Sequence, residues 1–196
     1  VTLIGACKTQ GPLVLQEAIA AGLVDFGENR VQEAMEKWPA LKKQHPHIQL
    51  HLIGPLQSNK AADAVALFDV IHTIDRPKIA DAVADQAKKQ GRILTCLIQL
   101  NTGQEPQKGG IAPRELPTLL AHCQNVGLPI EGLMCVPPVA ANAAPHFALL
   151  QKMARGAGLS WLSMGMSDDF ELAIRFGATH VRIGTALFGQ RSEPNA

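Results

Sequence analysis

The sequence predicts a single (β/α)8 TIM barrel, and three observations carry that reading. Eight short apolar runs recur along the chain, segments of helical spacing separate them, and no break in composition marks a second domain. The runs occupy 1–6, 23–27, 48–53, 68–74, 93–100, 130–136, 159–164 and 179–183. Each is rich in aliphatic residues and bounded by polar or turn-forming ones, as strands buried on both faces are. Eight strands in strict alternation with helices allow the sheet to close, which favours the barrel over its alternative, an open doubly wound sheet. One domain over 1–196 follows.

The intervening segments carry the helical period. Leu15 recurs with Ala18 and Ile19, and Val31 with Ala34, Met35 and Trp38. The same spacing joins Ile79, Val83 and Ala87, then Leu116, Leu119, Leu120 and Cys123, then Phe147, Leu150 and Ala154, and last Phe170, Ala173 and Ile174. Pro12, Pro77 and Pro113 stand where helices should start, because a first-turn N–H has no partner to lose. Gly22, Gly91, Gly127 and Gly177 stand just past their ends. Asp168 and Asp169 are expected in the first turn of a helix, where its dipole favours negative charge. A brief helix is expected over 60–67, and the Pro- and Ala-rich stretch 137–145 reads as a loop. Val1 already lies in a strand, so upstream residues, with any targeting segment, are expected to have been removed.

Composition narrows the function classes. The net charge is +1, with 18 basic and 17 acidic residues intermixed, which argues against a nucleic-acid surface or a polybasic membrane patch. No apolar run nears the roughly 18 residues of a membrane span. The four cysteines, Cys7, Cys96, Cys123 and Cys135, form no C-x-x-C pair and fall mostly in apolar segments, which fits a reducing, cytoplasmic setting. A small ligand is expected.

In such a barrel the chemistry comes from the C-terminal strand ends. Those ends offer Lys8, Glu28 and Asn29, His51 with Ser58 and Asn59, His72 and Asp75, Asn101, Met134, then Ser163, Gly165 and Ser167, and finally Arg182, Gly184 and Thr185. Lys8 directly follows the first run, and a partly desolvated lysine near a second cation such as Arg182 gives the neutral amine that attacks a carbonyl. After the last run, Gly184 and Thr185 open a short helix whose first N–H groups suit a phosphate. Together these point to an aldehyde cofactor held by its carbonyl and its phosphate. Arg182 reads either as a structural partner of Glu28 or Asp75, or as a donor to a pyridine nitrogen that keeps it unprotonated. His51 and His72 carry no metal-ligand signature and read as pocket or packing residues. A barrel that binds a sugar phosphate, with Lys8 acting only electrostatically, is a further alternative.

The stretches Ala6–Thr9, Phe26–Glu33, His51–Lys60, Gly132–Met134, Leu162–Asp169 and Val181–Gly189 resemble those of the pyridoxal phosphate homeostasis proteins, relatives of the N-terminal barrel of alanine racemase. The resemblance covers essentially the whole chain and implies pyridoxal 5'-phosphate bound as a Schiff base on Lys8, without a racemase's second domain. It further implies Ser163, Gly184 and Thr185 at the phosphate, Arg182 at the pyridine nitrogen, Asn29, His51 and Asn59 in the pocket wall, and Met134 and Met164 near the ring. It implies vitamin B6 homeostasis in the cytoplasm, by a monomer that delivers the cofactor to apo-enzymes. The resemblance also implies an N-terminal helix beneath the barrel, expected to be missing ahead of Val1. The sequence departs from the family at Cys7, where serine is usual, and at Gln10, often basic. Lys108 matches a family lysine and is a possible second attachment point, although Gly109 follows it in place of the usual serine. A low-activity amino acid racemase is the alternative function, but alanine racemase takes one of its two bases from a tyrosine, and this chain has none.

Overall fold

The computed structural model describes residues 1–8, 10–139 and 141–189. Thr9, Ala140 and the 190–196 end of the expected domain lie outside the described residues. The strands are β1 (Thr2–Ala6), β2 (Asp25–Glu28), β3 (Gln49–Leu52), β4 (Val70–Ile74), β5 (Thr95–Leu100), β6 (Ile130–Cys135), β7 (Trp161–Ser163) and β8 (His180–Ile183). Between them run α1 (Pro12–Ala20), α2 (Val31–Gln44), α3 (Ala61–Leu67), α4 (Pro77–Gln90), α5 (Leu116–Asn125), α6 (Ala144–Gly156) and α7 (Phe170–Arg175), and α8 (Thr185–Phe188) follows β8. The strands pair in parallel in chain order and β8 closes onto β1, Leu3 opposite Val181 and Ile4 opposite Arg182. The predicted TIM barrel is therefore the observed fold, and the open sheet is excluded.

Most of the apolar burial lies between sheet and helices. Phe26, Leu50, Leu52, Ile71, Ile98, Leu133 and Val181 face outwards and pack with Leu15, Trp38, Ile79, Leu119 and Phe147 of the helical layer. Alternate residues of the same strands enter the barrel, where Val70, Leu97 and Met134 form a small separate cluster against Val136 and Trp161.

Seven of the eight strands begin one or two residues later than hydrophobicity suggests, and β6 begins at Ile130 as expected. Gly22, Gly91, Gly127 and Gly177 take φ of +94°, +63°, +73° and +85°. The residue after each donates its N–H to the preceding helix: Leu23 to Ala18, Arg92 to Ala87, Leu128 to Cys123 and Ala178 to Ala173. These are Schellman ends, so the residue after each glycine belongs to the helix cap, and at Leu23 this accounts for the later start of β2. Asp168 and Asp169 precede α7 instead of occupying its first turn. The Asp169 carboxylate accepts the Met166 N–H at 2.7 Å, which closes the turn that launches α7. Part of the 137–145 stretch is helical, because α6 already begins at Ala144, with Pro145 in its first turn.

At the top of the barrel the ends of β2 and β3 touch through Gly54. A Cβ added there would lie 2.1 Å from the Asn29 carbonyl oxygen, a backbone atom that cannot swing away. Gly54→Ala should therefore destabilise the protein by about 1–3 kcal/mol, read as a lowered urea midpoint with an unchanged m-value.

Candidate functional site

A continuous polar chain crosses the barrel interior. The Arg182 side chain, 4% exposed, donates from Nη1 to Ser163 Oγ at 2.7 Å and from Nη2 to the Cys135 carbonyl at 2.8 Å. Ser163 Oγ lies 2.9 Å from His72 Nδ1, His72 Nε2 lies 2.9 Å from His51 Nδ1, and His51 Nε2 lies 2.9 Å from Asp25 Oδ1. Asp25 opens β2 at the lower rim and Arg182 sits near the upper end of β8, so the chain runs from floor to mouth. Burial and the neighbouring positive groups push His72 well below the usual histidine range. Burial likewise lowers His180, stacked on Trp161 with ring centroids 4.2 Å apart, to about 4.

Above the chain lies a cavity of about 230 Å³ lined by Ala6, Lys8, Gln10, Met166, Ser167, Asp168, Arg182, Gly184, Thr185 and Gly189. A second, of about 420 Å³, shares Ala6, Lys8, Met166 and Arg182 with it and adds Asn29, Ile53, Gln99, Lys108 and Val136. The structure thus gathers Lys8, Asn29, Arg182, Gly184 and Thr185 as expected. The turn beneath the cavity is set by Gly165, at φ +94°, whose carbonyl accepts the Arg182 N–H. Ser167 follows it, and its Oγ accepts the Ala186 N–H at 3.3 Å, which ties this turn to α8.

Five expected site residues lie elsewhere. Ser163 is fully buried and engaged by His72 and Arg182 below the cavity, so Ser167 takes its place as the serine on the lining. His51 is part of the interior chain and not of the wall. Met134 packs inside the barrel below the mouth, and Met164, one residue past Ser163, points outward into the sheet–helix core. Met166 and Val136 line the cavities instead. Asn59 is exposed on the turn before α3 and lines neither cavity. Lys8 is exposed, so the expected desolvation of its amine does not occur. Arg182 contacts neither Glu28 nor Asp75; these pair with Lys37 and Arg76.

Beneath Lys8 a buried platform holds the end of β1. Glu28 Oε1 accepts from Trp38 Nε1 at 2.9 Å and from Cys7 Sγ at 3.4 Å, and pairs with Lys37 Nζ at 2.6 Å. Lys37 also donates to the Cys7 carbonyl. Burial first, then the Glu28 charge, pushes the Cys7 thiol well up, so it serves as a weak donor and not as a nucleophile. Lys108 Nζ is held by the Pro137 carbonyl at 3.0 Å and by Glu105 at 2.8 Å.

Residues 8–192 match the family model for the alanine racemase N-terminal domain. The chain belongs to that family. It is 44% identical over 97% of its length to a pyridoxal phosphate homeostasis protein of Pseudomonas aeruginosa, 85% of which it covers. A protein of the same name from Aquifex aeolicus is 40% identical, with 96% of this chain and 86% of that protein covered. Among solved structures, PipY of Synechococcus elongatus without PLP superposes with a TM-score of 0.89 at 38% identity, covering 96% of this chain and 93% of PipY. The form with PLP bound gives 0.85 at the same identity, covering 96% and 92%. Members of this family share the barrel that places Lys8 and Arg182 on common cavities here.

His180 yields a pH prediction. Its folded pKa, about 4, lies below the ordinary 6.5, so the unfolded chain binds the extra proton first. Stability should be complete above that ordinary value, fall by up to about 3 kcal/mol as pH drops towards the folded one, and level off below it. A His180→Met variant should lose this component, read as the difference between the two proteins' urea-unfolding curves across that pH range.

Proposed function

We propose that this protein binds pyridoxal 5'-phosphate and serves intracellular vitamin B6 homeostasis, holding the cofactor on Lys8 and releasing it to acceptors. The observation that carries the reading is the sharing of both cavities by an exposed lysine from the end of β1 and a buried arginine from β8, across the seam that closes the barrel. The relatives named for this homeostasis, and PipY with PLP bound, support it.

The donor set fits the group. Lys8 supplies an amine for the aldehyde, which it holds with loss of water; Ser167, Gly184 and Thr185 lie on one cavity edge and suit the phosphate; Asn29, Met166 and Val136 contribute wall. When bound, the cofactor supplies an aldehyde that captures amines and a ring able to withdraw electrons. Arg182 decides how far that ring can act. A guanidinium has five donors and no acceptor and keeps its proton, so toward a ring nitrogen it can only donate. An unprotonated ring nitrogen withdraws electrons weakly, which suits storage and transfer better than carbanion chemistry. His51, a base that could in principle stand in for the missing tyrosine in racemisation, is occupied inside the barrel by His72 and Asp25.

The protein is proposed to act as one barrel domain over 1–196, as a cytoplasmic monomer, with apo forms of pyridoxal phosphate enzymes as its acceptors. No helix among the described residues is long and apolar enough to cross a membrane.

Protein mixed with pyridoxal phosphate should turn yellow, and borohydride should fix the cofactor to Lys8. Lys8→Ala should lose the fixed adduct at least tenfold relative to the parent while its unfolding midpoint stays put, since Lys8 is exposed. Full adduct in that variant would contradict the assignment. Solvent deuterium entering amino acids at enzymic rates would contradict the carrier reading.

A further inference from the structure

The polar chain inside the barrel has fixed ends, and they determine its direction. Arg182 can only donate, so Ser163 Oγ accepts from Nη1. An ionised Asp25 can only accept, so a neutral His51 carries its proton on Nε2 and offers Nδ1 as an acceptor. His72 must then donate from Nε2 to His51, which leaves His72 Nδ1 to accept the Ser163 hydroxyl proton. Every link is satisfied in one sense only: Arg182 to Ser163 to His72 to His51 to Asp25.

A proton added to His51 breaks that order. Imidazolium donates from both nitrogens, so His72 would have to accept at Nε2 and donate from Nδ1. Ser163 Oγ would then face two donors, Arg182 and His72, and its own hydrogen would lose its acceptor inside a fully buried site. We propose that Asp25, His51 and His72 are positioning residues which hold Arg182 through Ser163, and that protonation of His51 releases this hold and weakens binding at the cavity above. The proposal rests on the cofactor reading and adds its regulation by protons.

The groups facing His51 are Asp25 from β2, His72 from β4 and His180 from β8, whose ring centroid lies 6.3 Å away. Arg182 bears on His72 and His180. Both other histidines are held towards the neutral form by burial. His51 alone of the three is hydrogen-bonded to a carboxylate, and that carboxylate is 23% exposed at the lower rim, where a proton can enter.

The test compares the parent chain, Asp25→Asn and His51→Gln. Ring ¹⁵N shifts are recorded on the ligand-free proteins, and pyridoxal phosphate affinity is measured by equilibrium dialysis, both across about pH 5 to 8. Both His51 and His72 should carry their hydrogen on Nε2 at the upper end. Affinity in the parent should fall about tenfold as His51 takes its proton, the loss of one charge-assisted hydrogen bond. Asp25→Asn, which removes the carboxylate facing His51 Nε2, should displace that fall, and His51→Gln should remove the step. Ratios between proteins at one pH cancel the cofactor's own titration. A hydrogen on His72 Nδ1 at the upper end, a midpoint unmoved in Asp25→Asn, or a step retained in His51→Gln would each overturn the relay. Absence of pyridoxal phosphate binding at every pH would overturn the cofactor reading instead.

Discussion

A guanidinium buried to 4% exposure is the demand that organises the interior of this barrel. Removing a permanent charge from water costs several kcal/mol unless its donors are met, and Arg182 meets the cost with one hydroxyl and one main-chain carbonyl. The hydroxyl in turn needs an acceptor, which His72 provides, and the demand passes through His51 to the carboxylate of Asp25. Positive and negative ends of a buried chain thus lie at opposite rims, joined by neutral groups in well-formed hydrogen bonds. A closed parallel sheet makes this possible, because five strands can each send one side chain to the same axis.

The same alternation that builds the chain separates what the cofactor can touch from what it cannot. Ser163 and Met164 are neighbours in sequence, yet one enters the barrel and the other the sheet–helix core. Lining falls to residues one turn further out, Met166 and Ser167, because Gly165 reverses the chain above β7. On the β1 side, Glu28 and Lys37 form an ion pair beneath the strand end. Their contacts with Cys7 hold the backbone that carries Lys8, while the lysine itself stays in solvent, open to exchange.

Much of this was legible in the sequence. Eight apolar runs between amphipathic segments are a direct consequence of burying a parallel sheet on both faces, and each of the eight strands lies where its run predicts. Strand starts were less legible, since the residue after a cap glycine serves the helix that ends there, as Leu23 does ahead of β2. Lys8, Asn29, Arg182, Gly184 and Thr185 could be read because they sit at the true ends of strands. His51, Ser163, Met134 and Met164 could not be placed from strand membership alone, because depth in the barrel and inward or outward facing depend on register. Within β7 itself, the inward position of Ser163 puts Met164, one residue on, on the outer face. The His72–Ser163 contact joins positions 91 residues apart, on β4 and β7, and only closure of the barrel brings them together.

A crystal structure of the protein soaked with pyridoxal phosphate tests the account most directly. The account predicts continuous density from Lys8 Nζ to the cofactor, Arg182 Nη or Nε within hydrogen-bond distance of the ring nitrogen, and the phosphate against Ser167, Gly184 and Thr185. Cofactor attached at Lys108 with Lys8 free, or a ring lying away from Arg182, would contradict it.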